Sequence, residues 1–119
     1  MNVSFRWLDQ KRTALFVSAT RQLSSEELLV ADEKIHAMIS SVKHPVDIIA
    51  DYRKQRYFPP DYVEVRLQLK TLDSPNLRTV IIVDSPIAFE MFTMFTQQYR
   101  AVHFRCFHAR NMPEAKTLL

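Results

Sequence analysis

The chain has no glycine among its 119 residues, and that absence removes whole classes of chemistry. A Walker phosphate loop, a dinucleotide-binding fingerprint and a nucleophile elbow each need backbone conformations or close approaches that glycine alone reaches cheaply. None of them can be built from this sequence. The single cysteine, Cys106, cannot close an internal disulfide, and by itself it makes no thiolate metal site. The start at Met1-Asn2-Val3 leads directly into polar sequence, and no apolar run approaches the ~20 residues of a membrane span. With 47% hydrophobic and 24% charged residues, the chain has the balance of a folded protein with one core. The expectation is one domain over residues 1–119, soluble and cytoplasmic, without a membrane span.

Local patterns then order the elements. Val3, Phe5 and Trp7 alternate with polar residues at the period of a half-buried strand. A polar turn, Asp9-Gln10-Lys11-Arg12, joins it to a second strand from Thr13 to Val17, which makes an antiparallel hairpin. Ser24 and Glu27 have the spacing of a capping box, and the helix behind them aligns Leu28, Ala31, Ile35, Met38, Ile39 and Val42. Val46 to Asp51 reads as a largely buried third strand. After Pro59-Pro60, Asp61 is the expected N-cap of a helix carrying Tyr62, Val65, Leu69 and Leu72. Thr79 to Val83 is β-branched throughout, as in a strand covered on both faces. Ser85 and Pro86 open a helix through Phe89, Phe92 and Phe95 to Tyr99. His103 to His108 reads as a fifth strand, and Asn111-Met112-Pro113-Glu114 opens a terminal helix. The order ββαβαβαβα predicts an α/β fold: a mixed five-stranded sheet with an N-terminal antiparallel hairpin and about four helices.

This order, with Phe5-Arg6-Trp7-Leu8-Asp9, His44-Pro45-Val46-Asp47-Ile48-Ile49-Ala50-Asp51, Pro59-Pro60 before a helix, Val80-Ile81-Ile82-Val83 before another, and the closing Pro113 to Leu119, resembles the SpoIIAA-like (anti-sigma-factor-antagonist-like) family of the STAS superfamily. The resemblance runs nearly end to end and implies a regulatory module that acts by binding a protein. In the anti-sigma antagonists a serine after the third strand, at a helix start, is phosphorylated to break partner binding. The matching segment here, Asp51 to Asp61, holds no Ser or Thr, so that switch is not carried over.

Several side chains invite chemistry and have simpler readings. Asp51 and Asp84 end neighbouring strands and could hold a divalent ion, but an acid before Ser-Pro is also ordinary helix-start chemistry. His36, His44, His103 and His108 lack the i, i+4 pairing of a helical zinc site. Cys106, mid-strand among aromatic residues, reads as a small core hydrophobe. Arg53-Lys54-Gln55-Arg56, flanked by Tyr52 and Tyr57-Phe58, has the phosphate-pairing and ring-stacking ingredients of a nucleic-acid surface. A net charge of +3 is small for that task, and a solvated loop with its rings folded back is favoured. Phe89, Met91, Phe92, Met94 and Phe95 are more apolar than one sheet face can cover, leaving core, pocket and self-association contact open.

The sequence therefore predicts a non-catalytic binding module with no cofactor and no metal site, working through a protein partner or self-association. Its site is expected at the carboxyl-terminal edge of the sheet, at Asp51, Tyr52, Arg53, Arg56, Tyr57 and Ser85, with basic residues suited to an anionic ligand. Reversing the charges of Arg53 and Arg56 is expected to spare folding. The alternative is a small-molecule or lipid carrier with an apolar pocket near the Phe89 to Tyr99 helix; an enzyme using Asp51 and Asp84 is a third reading.

Overall fold

A chain without glycine must place other residues where its backbone turns left-handed. Arg12 does so at φ 57° and Asp84 at φ 51°, the first in the hairpin turn and the second between a strand and a helix. Aspartate tolerates this region better than most residues. The computed structural model describes residues 2–57 and 60–119, so Met1, Phe58 and Pro59 lie outside the described residues. Its elements are β1 (Val3–Trp7), β2 (Ala14–Ala19), α1 (Ser25–Ser40), β3 (Val46–Asp51), α2 (Tyr62–Leu67), a 3-10 turn (Thr71–Asp73), β4 (Leu77–Val83), α3 (Pro86–Gln98), β5 (Arg105–Ala109) and α4 (Met112–Thr117).

The five strands lie in one sheet in chain order, β1-β2-β3-β4-β5. β1 runs antiparallel to β2, and every later pair is parallel. Crossovers of one hand that always step to the next strand leave their helices on one face. Accordingly Leu15, Val17, Ile48, Ala50 and Ile82 share one core with Ile35 and Ile39 of α1, Val65 of α2, and Phe92 and Phe95 of α3. The alternate residues Ile49, Ile81 and Val83 face the other way, toward Ala115 of α4. β3 and β4 are covered on both faces, as their unbroken apolar runs predict.

The expected α/β architecture is thus present, with local differences that have physical causes. Thr13 belongs to the hairpin turn, because its amide donates to Asp9 Oδ1 at 2.9 Å and its hydroxyl donates to the same carboxylate. Those bonds, the Thr13 side chain first, hold the Asp9 carboxyl below its ordinary pKa. β5 begins two residues later than expected, so His103 lies outside it. The capping box closes as predicted: Glu27 N donates to Ser24 Oγ at 3.2 Å and Ser24 N to Glu27 Oε1 at 3.1 Å. Asp61 does not cap α2 through its side chain; its carboxylate accepts instead from Ser25 Oγ of α1 at 2.7 Å. Nor does α2 extend to Leu72. The buried carboxylate of Asp32 accepts from the amides of Lys70 (2.7 Å) and Thr71 (3.1 Å), which opens the helix into the 3-10 turn. Leu69 and Leu72 still reach the core by this altered path.

Candidate functional site

The six residues expected to form a site sit at the right edge, but the sheet divides them. Asp51 is the last residue of β3 and is buried. Its carboxylate accepts from Arg53 Nη2 at 2.7 Å, from Arg53 Nε at 3.0 Å and from the Arg53 amide at 3.2 Å. By alternation it lies on the face of Ile49 and Val83, with α4. The Asp51 carboxylate raises the Arg53 pKa, and Asp84 adds to this. The basic side chain closest to the strand end is therefore committed to a buried acid. Reversing its charge would set two carboxylates side by side, so reversing Arg53 and Arg56 together would not spare folding as the sequence suggested. Ser85 is committed as well: it is buried, and its Oγ accepts from the Ala88 amide at 3.3 Å to cap α3.

Tyr52 and Tyr57 lie on the helical side. The loop that carries them is fastened to residues 21–23 by two glutamines. Gln22 accepts from the Arg56 amide at 2.7 Å and donates to Gln55 Oε1 at 3.2 Å and to the Tyr57 carbonyl at 3.1 Å. Gln55 in turn donates to the Arg21 carbonyl at 2.7 Å and accepts from the Leu23 amide at 3.1 Å. Tyr57 is 64% exposed and shares a small pocket with Ala88 of α3, whose neighbour Ile87 is 56% exposed. Arg56 is exposed beside them. A small outer pocket of about 20 Å³ opens between Gln22, Gln55, Tyr57 and Ala88.

Leu28, Tyr52, Tyr62 and Arg66 form the floor of that pocket and also line a larger cavity of about 80 Å³ between the sheet and α1–α3. Arg66 is half-buried there. Its guanidinium stands 5.1 Å from the Tyr62 ring centroid and 5.6 Å from that of Phe92. Burial works against its charge, but Tyr62, Tyr52 and Asp32 outweigh this and hold the pKa above the ordinary arginine value. Burial likewise pushes the Tyr52 phenol up, so it remains a neutral O–H donor. Cys106 packs at the rim of the same core, and burial lifts its thiol to about 11, the opposite of a reactive thiolate.

Arg66 and Gln22 were not among the residues singled out from the sequence, and Tyr62 was read only as part of the helix's apolar spacing. One signal was available for Arg66: it follows Tyr62 by four and Val65 by one, on the stripe that α2 buries. The apolar α3 helix resolves into three roles. Phe92 and Phe95 are core, Phe92 also lines the cavity, and Ile87 and Met94 are exposed. Among the described residues no three His, Cys, Asp or Glu side chains group as metal ligands, and no helix is long and apolar enough to cross a membrane. Neither family models nor curated proteins match this sequence.

Proposed function

We propose that the chain is a STAS-like binding module that engages a protein partner through the carboxyl-terminal edge of its sheet. The observation that carries this reading is exposed Tyr57, held with exposed Arg56 on a loop fastened by Gln22 and Gln55 and sharing a pocket with Ala88, the residue after exposed Ile87 of α3. An aromatic anchor next to an aliphatic one, with an arginine alongside, has the composition of an interface hot spot. A loop already ordered by five hydrogen bonds from two glutamines loses little further freedom on binding. The ββαβαβαβα order expected with the SpoIIAA-like resemblance is the element order of the chain, which supports the reading. Regulation by a phosphoserine at the start of α2 is not part of the proposal, because residues 51–61 hold no Ser or Thr.

Cross-linking in extract of the source cell, read by mass spectrometry at Lys54, tests the reading. A defined partner, which includes a second copy, should be linked to the native chain. Tyr57→Ala with Ile87→Asp should weaken that capture by about tenfold or more while the protein still melts cooperatively. Undiminished capture by a folded double variant would refute the edge as the docking surface.

The cavity beside Arg66 favours a second reading, that of a small-ligand binder. At about 80 Å³ it has room for two or three waters of about 30 Å³ each, which is too little for a long acyl chain. The carrier alternative therefore narrows from lipids to small molecules.

A further inference from the structure

Among the described residues Arg21, Arg53, Arg78, Arg100 and Arg110 each meet a carboxylate within ion-pair distance, and of the arginines that do not, Arg6, Arg12, Arg56 and Arg105 are exposed while Arg66 is half-buried. The buried acid nearest in the fold, Asp32, is spent on the Lys70 and Thr71 amides. The Tyr62 and Phe92 rings and a hydrogen bond to the Tyr62 side chain supply Arg66 with part of what it lost in leaving water, and the five-donor guanidinium keeps further N–H groups for a bidentate acceptor. The Tyr52 hydroxyl, which shares both cavities with Arg66, has no hydrogen-bond partner among the described residues. A cation and the Tyr52 O–H donor thus meet at walls shared by a small pocket and a larger, mostly apolar cavity. Inward from them the walls are Val17, Ala31, Ile35, Ile48, Ala50 and Ile82.

That arrangement is complementary to one kind of molecule, with a negative, bidentate acceptor at one end and a short apolar tail at the other. We propose that the cavity beneath Tyr52 and Arg66 binds a short aliphatic carboxylate, its carboxylate on the Arg66 guanidinium and the Tyr52 hydroxyl and its tail among the side chains of β2, β3 and α1. Volume sets the length. A dry cavity of about 150 Å³ accepts benzene, so one of about 80 Å³ takes roughly half of six ring carbons. The tail is therefore about three carbons, as in butyrate. The outer pocket lined by Gln55, Tyr57 and Ala88 adjoins the cavity at Tyr52 and Arg66. This site lies inward of the partner-docking edge and does not depend on it. Loss of partner capture in Ile87→Asp, a residue that lines neither cavity, with carboxylate binding intact separates the two.

Methyl NMR titrations at fixed ionic strength test the proposal, with sodium butyrate, 1-butanol and sodium acetate as probes. Butyrate should produce saturable shifts at the methyls of Val17, Ile48 and Ile82. Butanol, which keeps most of the tail and loses the charge, should bind about tenfold or more weakly. Acetate, lacking two methylenes, should also bind roughly tenfold or more weakly, at about fourfold per methylene. Arg66→Gln should erase the preference for butyrate over butanol, and Tyr52→Phe should reduce it several-fold. If Arg66→Gln fails to fold, Tyr52→Phe and the butyrate-to-butanol ratio of the native chain still decide. Equal binding of butyrate and butanol, or no saturable shift at these methyls, would overturn the assignment and leave a water-filled core cavity.

Discussion

The two faces of the sheet solve the same problem by different means. One face is packed by α1, α2 and α3, with Leu15, Ile39 and Phe95 wholly or almost wholly buried. The other has only the six residues of α4, over a cluster of Ile49, Ile81, Val83, Ala109 and Ala115. There the cover is completed by arginines: Arg6 stands 5.2 Å over the Phe16 ring and Arg105 5.1 Å over Phe107. Arg78 and Arg53 meet the buried acids of that face, Asp47 at 2.6 Å and Asp51 at 2.7 Å. On the helical face the buried acid, Asp32, serves backbone amides, and the half-buried Arg66 is held by the Tyr62 and Phe92 rings and a hydrogen bond to the Tyr62 side chain. The thin face thus meets its buried acids with solvent-side arginines, whereas the thick face holds its half-buried cation without an acid.

The largest test of this contrast is truncation on the two faces. Phe95→Ala should cost about 3–5 kcal/mol in chemical denaturation, as for a buried aromatic ring. Met112→Ala beneath α4 should cost under about 2 kcal/mol, because that side chain is only partly buried. Equal losses would mean that α4 contributes as much core as the three crossover helices together.

A sharper comparison lies within one loop. Arg53→Glu should lower the melting temperature clearly, since it leaves the buried Asp51 beside a like charge. Arg56→Glu, whose side chain has no such partner, should leave it nearly unchanged. Thermal melts of the two single variants would settle this, and similar melting temperatures would show that the Asp51–Arg53 pair is not holding the end of β3.

The smallest effect concerns Cys106, on the helical face. Its thiol is raised by burial from 9.0 to about 11, so the native state favours the protonated form. The stability this contributes is complete below the ordinary thiol value and is lost as pH rises from there toward about 11. Denaturation midpoints of native and Cys106→Ala chains should therefore converge or cross above pH 9. A thiol reagent at pH 8 should modify native Cys106 slowly and unfolded Cys106 fast. Rapid native labelling would show that the helical face opens more readily than its packing implies.

How much of this could be read from the sequence depends on the range of the interaction. The Ser24–Glu27 box, the Ser85 and Asn111 caps and the hairpin turn close within a few residues, and each is found where the pattern places it. β3 is found at its predicted bounds, because a run of apolar residues ending in an acid needs no distant partner to be recognised. Asp61 and the end of α2 were misread for the opposite reason. Ser25 takes the Asp61 carboxylate from 36 positions away, and Asp32 takes the amides that would have extended the helix from 38 and 39 positions away. The candidate site shows the same divide. The edge and the loop were legible, but alternation at the end of β3 sends Asp51 and Tyr52 to opposite faces, and Arg66 joins Tyr52 only through the packing of α2 on the sheet.

By itself, then, the sequence determined the alternation of strands and helices, the places where caps start helices, and the exclusion of every glycine-built phosphate or nucleophile loop. These follow from periodicity and from contacts within one turn. Only the tertiary structure decided which face each polar side chain meets and which arginines meet an acid. The reason is physical: hydrophobic period fixes the direction of a side chain relative to its own element, whereas the partner of a charge is set by the element packed opposite, and no local pattern encodes that neighbour.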